Sequence, residues 1–87
     1  MKYQLGSLTV EAIDTYVRVT LDNQGGIAGN KKIACTDHEC PSAQNVADLI
    51  SKLRDMPPGR LNSAELQACG RAAVDARDNK AANELNL

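Results

Sequence analysis

Four side chains in this sequence are of the kinds that bind soft metal ions or act as nucleophiles: Cys35, His38, Cys40 and Cys69. Thiolate and imidazole groups are the usual ligands of tetrahedral zinc, and four of them would complete such a site. The spacing C-x2-H-x-C differs from the paired spacing of the common zinc fingers. A zinc-stabilised structural or regulatory module that uses these residues is therefore an alternative and not the leading interpretation.

The same turn offers a cysteine nucleophile, with His38 as its base and Asp37 or Glu39 beside it. Catalytic Cys–His pairs are usually distant in sequence and are brought together by the fold. The sequence also lacks the P-loop, GxSxG and HExxH motifs. A polar turn that leads into a helix is the simpler interpretation, and we predict a protein that is not an enzyme and needs no cofactor.

Length, charge and cysteine content narrow the class of protein further. A chain of 87 residues forms one small domain, so we treat residues 1–87 as a single unit. Its formal net charge of −1 argues against the basic stripe that direct nucleic-acid binding requires. The apolar runs are too short for a membrane span, and three cysteines suit no complete disulfide framework. Together these features predict a cytoplasmic protein with no membrane partner.

Extended structure is predicted for about residues 2–36. The segment TYVRVTL, residues 15–21, is the strongest strand, since its valines share one face. DNQGGIAGN then has the composition of a hairpin loop, and KKIACT over residues 31–36 is the return strand. Nearer the N-terminus, alternation predicts a strand with a bulge at Gly6-Ser7, whereas residues 9–16 remain open to a short helix as well.

Helical periodicity begins after Cys40-Pro41. Apolar residues recur at helical spacing over about residues 42–56, and Pro57-Pro58-Gly59 ends that helix. A second helix is predicted over about residues 63–78, where Asn62 and Glu65 form a capping box. Asp78-Asn79 interrupts it in one interpretation, leaving a short C-terminal turn, while a continuous helix is the other.

Strands followed by helices indicate the α+β class. We therefore expect a small antiparallel sheet of two to three strands, followed by two helices packed on one face. The uncovered face of the strongest strand would carry polar residues that a partner can contact. The candidate contacts are Tyr16, Arg18 and Thr20 on this strand, with Lys31 and Lys32 at the hairpin. Small residues on the second helix also permit a homo-oligomer.

The segment SAQNVADLISKL resembles the Asn-Ala-x-Leu-Ile helices of small phage early-region proteins. The whole-chain layout, a short antiparallel sheet followed by two helices, is similar to that of some phage-encoded anti-CRISPR proteins. This resemblance implies a non-enzymatic inhibitor that covers a functional surface of a host protein complex. It carries over no residue-level motif, because these inhibitors share none.

Overall fold

The computed structural model of the 87-residue protein describes residues 1–22, 31–57 and 59–85. These residues form strands β1 (Lys2–Leu5), β2 (Leu8–Ile13), β3 (Tyr16–Asp22) and β4 (Lys31–Cys35), followed by helices α1 (Ala43–Leu53) and α2 (Ser63–Leu85). Strands come first and helices afterwards, which confirms the α+β class.

The described strands form an antiparallel sheet in the order β1-β2-β3-β4. The prediction of two to three strands falls one short, because residues 2–13 contain two strands and not a single bulged one. The chain reverses at Gly6 and Ser7, where Leu5 pairs with Leu8 and Gly6 has a φ of +62°. Glycine with positive φ at the first central position is typical of a two-residue hairpin turn. The predicted bulge is therefore a turn.

A second two-residue reversal joins β2 to β3. Asp14 has a φ of +55°, a conformation that aspartate tolerates better than most residues. Residues 9–16 thus lie in β2, a turn and the first residue of β3, and not in the short helix that the sequence left open. Strand β3 then pairs antiparallel with β4. The glycine-rich loop predicted between these strands falls on residues 23–30, outside the described residues.

Both described helices pack on one face of the sheet. Alternation along β2 and β3 directs Leu8, Val10, Val17 and Val19 to this face, where all four are fully buried. Helix α1 adds Val46 and Ile50 to the core, and α2 adds small residues: Ala68, Cys69, Ala72 and Ala76. The core is therefore aliphatic, with bulky side chains on the sheet opposite small ones on α2.

Capping groups fix both ends of α1. The Asn45 N–H donates to Ser42 Oγ at 3.1 Å, and the Ser42 N–H donates to Asn45 Oδ1 at 3.0 Å. At the C-terminal end, the Met56 N–H donates to Ser51 O at 3.0 Å, and Asp55 adopts a φ of +54°. This Schellman arrangement ends the helix at Leu53 and not near residue 56, before the proline pair is reached.

A capping box and an ion pair hold the start of α2 against the end of α1. The Asn62 N–H donates to Glu65 Oε1 at 3.1 Å, and the Glu65 N–H donates to Asn62 Oδ1 at 2.9 Å. Arg54, which follows α1, places Nη2 2.6 Å from Glu65 Oε2, and both side chains are mostly buried. This contact holds the pKa of Glu65 below its usual value of 4.5. Glu65 therefore caps one helix and links it to the other.

Helix α2 continues to Leu85 without a break at Asp78-Asn79. Its last turns are held by the β2–β3 turn: Asn79 Nδ2 donates to Asp14 O at 2.7 Å, and Asn83 Nδ2 donates to Asp14 Oδ1 at 2.9 Å. Lys80 also pairs with Glu39 at 3.5 Å. These long-range contacts offset the low helix propensity of asparagine. Of the two alternatives that the sequence left open, the continuous helix is the one that forms.

Replacing Glu65 with glutamine should keep the capping geometry but remove the ion pair. We expect a loss of about 2 kcal/mol of unfolding free energy at pH 7. Because the folded state holds the pKa of Glu65 below that of the unfolded chain, this contribution is complete above about pH 5 and is lost as the pH falls. Urea unfolding between pH 3 and pH 7 should therefore be less pH-dependent in the variant. Asp78→Asn, on the exposed side of α2, is the control, and equal pH profiles in both variants would contradict this assignment.

The double variant Asn79→Ala and Asn83→Ala tests what holds the end of α2. Alanine is the better helix former, so propensity alone predicts a firmer helix. We expect the opposite: hydrogen exchange of the amides after residue 79 should quicken, since each lost hydrogen bond contributes about 1 kcal/mol. Arg77→Ala, on an exposed position of the same helix, should leave exchange unchanged. Slower exchange in the double variant would show that the contacts to Asp14 are not needed.

Candidate interaction surface

The face of the sheet that points away from the helices is uncovered by any described element; we call it the open face. Strand register arranges its central side chains in two rows across all of the described strands. One row is Lys2, Glu11, Arg18 and Cys35, and the other is Gln4, Thr9, Thr20 and Ile33. Ile13 and Tyr16 lie at one end of the face, and Asp22 and Lys31 at the other.

Charged groups on the open face largely pair with one another. Arg18 Nη2 lies 2.7 Å from Glu11 Oε1 on the neighbouring strand, and Arg18 Nε donates to the same oxygen at 3.2 Å. Lys31 Nζ lies 3.8 Å from Asp22 Oδ1. Cross-strand pairs of opposite charge stabilise a sheet modestly. They also leave the surface close to neutral, which a phosphate backbone would not favour.

Apolar side chains are exposed on this face at three described positions. Ile33 is 59% exposed, Ile13 is 42% exposed and Tyr16 is 38% exposed. Sequence reasoning named Tyr16 but overlooked both isoleucines. The period-2 alternation of strand side chains could have identified Ile33 as an exposed residue. The register pairs Ile33 with Thr20, and the sequence analysis had already assigned Thr20 to the open face.

The structure separates the two lysines that the sequence grouped. Tyr16, Arg18, Thr20 and Lys31 lie together on the open face, as their alternation requires. Lys32 points to the helix side, where Nζ donates to Leu53 O at 3.2 Å and lies 4.0 Å from Asp55 Oδ2. Adjacent strand residues face opposite ways, so Lys31 and Lys32 do not form one surface patch.

The four candidate zinc ligands do not converge. Cys35 is exposed on the open face, whereas Cys69 is buried between α2 and the other face of the sheet. Cys40 Sγ lies 3.9 Å from Ala76 O, about 10 Å along the axis of α2 from Cys69. No group of three or more His, Cys, Asp or Glu residues is placed to hold a metal ion within residues 1–22, 31–57 and 59–85.

The thiol environments also bear on the nucleophile interpretation. Burial, together with a smaller contribution from nearby Glu65, raises the pKa of Cys69 to about 11. A thiol with a raised pKa holds little thiolate at neutral pH, so Cys69 is poorly suited to nucleophilic attack. His38 is exposed, and none of the hydrogen bonds among the described residues joins its ring to a thiol.

No protein-family model, curated protein or solved structure matches this chain. Among the described residues, neither helix combines the length and the apolar character needed to cross a membrane.

The three thiols should differ sharply in reactivity. With Ellman's reagent at pH 8, Cys35 should react first, because it is exposed on the open face, and Cys69 should react last, because it is buried with a raised pKa. Alkylation followed by peptide mass spectrometry measures the order directly, and urea should equalise the rates. Modification of Cys69 as fast as Cys35 in the folded protein would contradict the packing of α2 on the sheet.

Proposed function

We propose that this chain is a non-enzymatic protein-binding module whose contact surface is the open face of the sheet. The observation that carries the proposal is that the described helices cover one face only, while Ile13, Tyr16 and Ile33 are exposed on the other. Aromatic and aliphatic side chains set among threonine hydroxyls, with few free charges, are typical of the centre of a protein–protein interface.

Electrostatics favours a protein partner over a nucleic acid. Affinity for nucleic acids comes mainly from cationic groups that are free to neutralise phosphates. Arg18 and Lys31, two of the cations on this face, are instead engaged by Glu11 and Asp22, which leaves Lys2 on the edge strand β1 without an ion pair among the described residues. A partner with a mixed polar and apolar surface can use the same groups without breaking these pairs.

The resemblance to phage anti-CRISPR proteins supplies the class of partner. We propose a phage-encoded inhibitor that acts in the bacterial cytoplasm and covers a functional surface of a host protein complex. Inhibition by coverage needs neither a cofactor nor a catalytic group, which fits a chain whose candidate ligands point to different sides of the sheet.

The open face is smaller than the area that a partner usually covers in a specific interface. Four strands about 4.8 Å apart, at about 3.3 Å per residue, give a face of roughly 400 Å². A specific interface usually buries about 800 Å² on each partner. The proposed contact therefore extends beyond a single open face.

Introducing a charge at the centre of the open face should weaken partner binding. Thr20→Glu places an unpaired carboxylate there, and Ala82→Glu makes the same change on an exposed position of α2. Tagged protein would be used to capture partners from bacterial lysate, with identification by mass spectrometry and affinity measured on the purified complex. We expect Thr20→Glu to weaken binding by about tenfold or more, a cost of at least 1.4 kcal/mol, and Ala82→Glu to have no effect.

Tyr16→Ala supplies an independent variant that adds no charge. It should also weaken binding, because aromatic side chains often dominate interface energies. Both variants must keep the melting temperature of the original chain to within a few degrees. Unchanged capture by both folded variants would place the contact elsewhere and refute the proposed surface.

A further inference from the structure

Strand β1 forms one edge of the described sheet, and part of its backbone points away from the sheet. Leu5 and Leu8 flank a two-residue turn, which makes them a hydrogen-bonded pair of the β1–β2 ladder. Such pairs alternate along a ladder, so Tyr3 also directs its backbone groups toward β2. The N–H and C=O groups of Lys2 and Gln4 therefore point outward, where no described strand pairs with them.

A groove separates this edge from the exposed side of α2. It consists of two adjoining clefts, of about 330 Å³ and about 540 Å³, which share Tyr3, Gln67 and Arg71. The larger cleft is also bordered by Gly70 and Val74, and its lining is mainly apolar. The smaller cleft follows β1 and has a mixed lining. Its remaining residues are Lys2, Gln4, Leu5, Ala64 and Ala68.

Gly70 deepens the larger cleft. It lies in the interior of a 23-residue helix, where glycine is one of the least favourable residues. A Cβ placed at this position would meet open space, so packing among the described residues does not require glycine here. The missing side chain leaves room in the wall of α2 for a side chain from another molecule.

Two cations at the groove have no ion pair among the described residues: Lys2 and Arg71. Lys2 lies opposite Glu11 in the register, but that carboxylate binds an arginine on β3. Asp75, the acidic residue of the groove lining, accepts a hydrogen bond from Tyr3 Oη at 2.7 Å. The groove therefore has two available cations, and its own carboxylate is engaged.

We propose that the β1 edge and this groove bind an extended acidic segment of the protein partner, which adds a strand antiparallel to β1. This contact rests on the proposed function, because it is a further contact of a protein-binding module. A polypeptide strand can pair with the outward groups of Lys2 and Gln4, whereas a nucleic acid offers no such ladder of backbone groups. Lysine at a sheet edge discourages strand addition in general, but it favours an acidic strand over a basic one.

A second copy of this chain does not fit the same description. The described edge strands, β1 and β4, both carry lysine, and neither carries an acidic residue. Pairing either edge with β1 would therefore add cations to a groove that already has two. Charge complementarity points to a different protein.

The register of an added strand determines where its side chains lie. Residues opposite Lys2 and Gln4 exchange backbone hydrogen bonds with them, and their side chains point to the open face. Residues opposite Tyr3 and Leu5 point to the helix side. The side chain opposite Tyr3 therefore enters the apolar cleft at Gly70, where an aliphatic group fits.

The two available cations determine the acidic positions. An acidic residue opposite Lys2 forms a cross-strand ion pair. An acidic residue opposite Leu5 lies in the smaller cleft, which Arg71 also lines. The segment that fits, from its N-terminus to its C-terminus, is Glu-Thr-Ile-Glu, with isoleucine opposite Tyr3 and threonine as a neutral residue opposite Gln4.

The blocked peptide acetyl-Thr-Glu-Thr-Ile-Glu-Thr-amide tests the groove by NMR titration of the purified chain. We expect a dissociation constant of about 1 mM or below, with downfield shifts of the amide protons of Lys2 and Gln4. The amide proton of Tyr3 already bonds to β2 and should move little. The same peptide with lysine in place of both glutamates should bind at least about tenfold less tightly. No saturable shift at the two outward amides, or equal binding of the two peptides, would overturn the proposal.

Gly70→Leu separates binding from folding. Leucine is a better helix former than glycine and meets open space here, so the melting temperature should not fall. The filled cleft should weaken peptide binding by about tenfold or more. Arg71→Glu should weaken it by about fivefold, and Arg77→Glu, exposed on α2 outside the groove lining, is the matched control. Folded Gly70→Leu that binds the peptide as tightly as the original chain, or equal effects of the two arginine variants, would refute the groove.

Peptide binding is measured without the partner of the open face, so the two proposals can fail separately. Loss of capture in Thr20→Glu together with no peptide binding would refute the groove and support the open face. Peptide binding together with unchanged capture by folded Thr20→Glu and Tyr16→Ala would support the groove and refute the open face.

Discussion

The close approach of helix α2 to the sheet is the contact on which the rest of the structure depends. The chain has no tryptophan or phenylalanine, so its core volume comes from aliphatic side chains. Alanines on α2 let the helix lie near the sheet, and the branched residues of β2 and β3 fill the remaining space. Small side chains bury little area each, so a stable core of this kind needs both helices on one face. The other face is left uncovered as a direct consequence.

How much of this fold the sequence could predict depended on the range of the interactions involved. Alternation in TYVRVTL predicted β3 and its face, and the capping box at Asn62 and Glu65 forms as expected. Both signals involve neighbours within four residues. The continuation of α2 to Leu85 depends on Asn79 and Asn83 reaching Asp14, more than sixty residues earlier. No local pattern contains that contact.

The predicted zinc site shows the opposite error, because its prediction gave too much weight to closeness in sequence. Cys35 and Cys40 are close in sequence, but Cys35 ends an edge strand and its side chain alternates to the open face. The chain then turns back: Cys40 adopts a φ of +51°, and its N–H donates to Thr15 O at 2.7 Å. Its thiol therefore lies on the helix side, near Ala76. The same alternation separates Lys31 from Lys32. Two residues in or beside a strand share a face when they are an even number of positions apart. This alternation predicts which residues lie together better than their distance in sequence does.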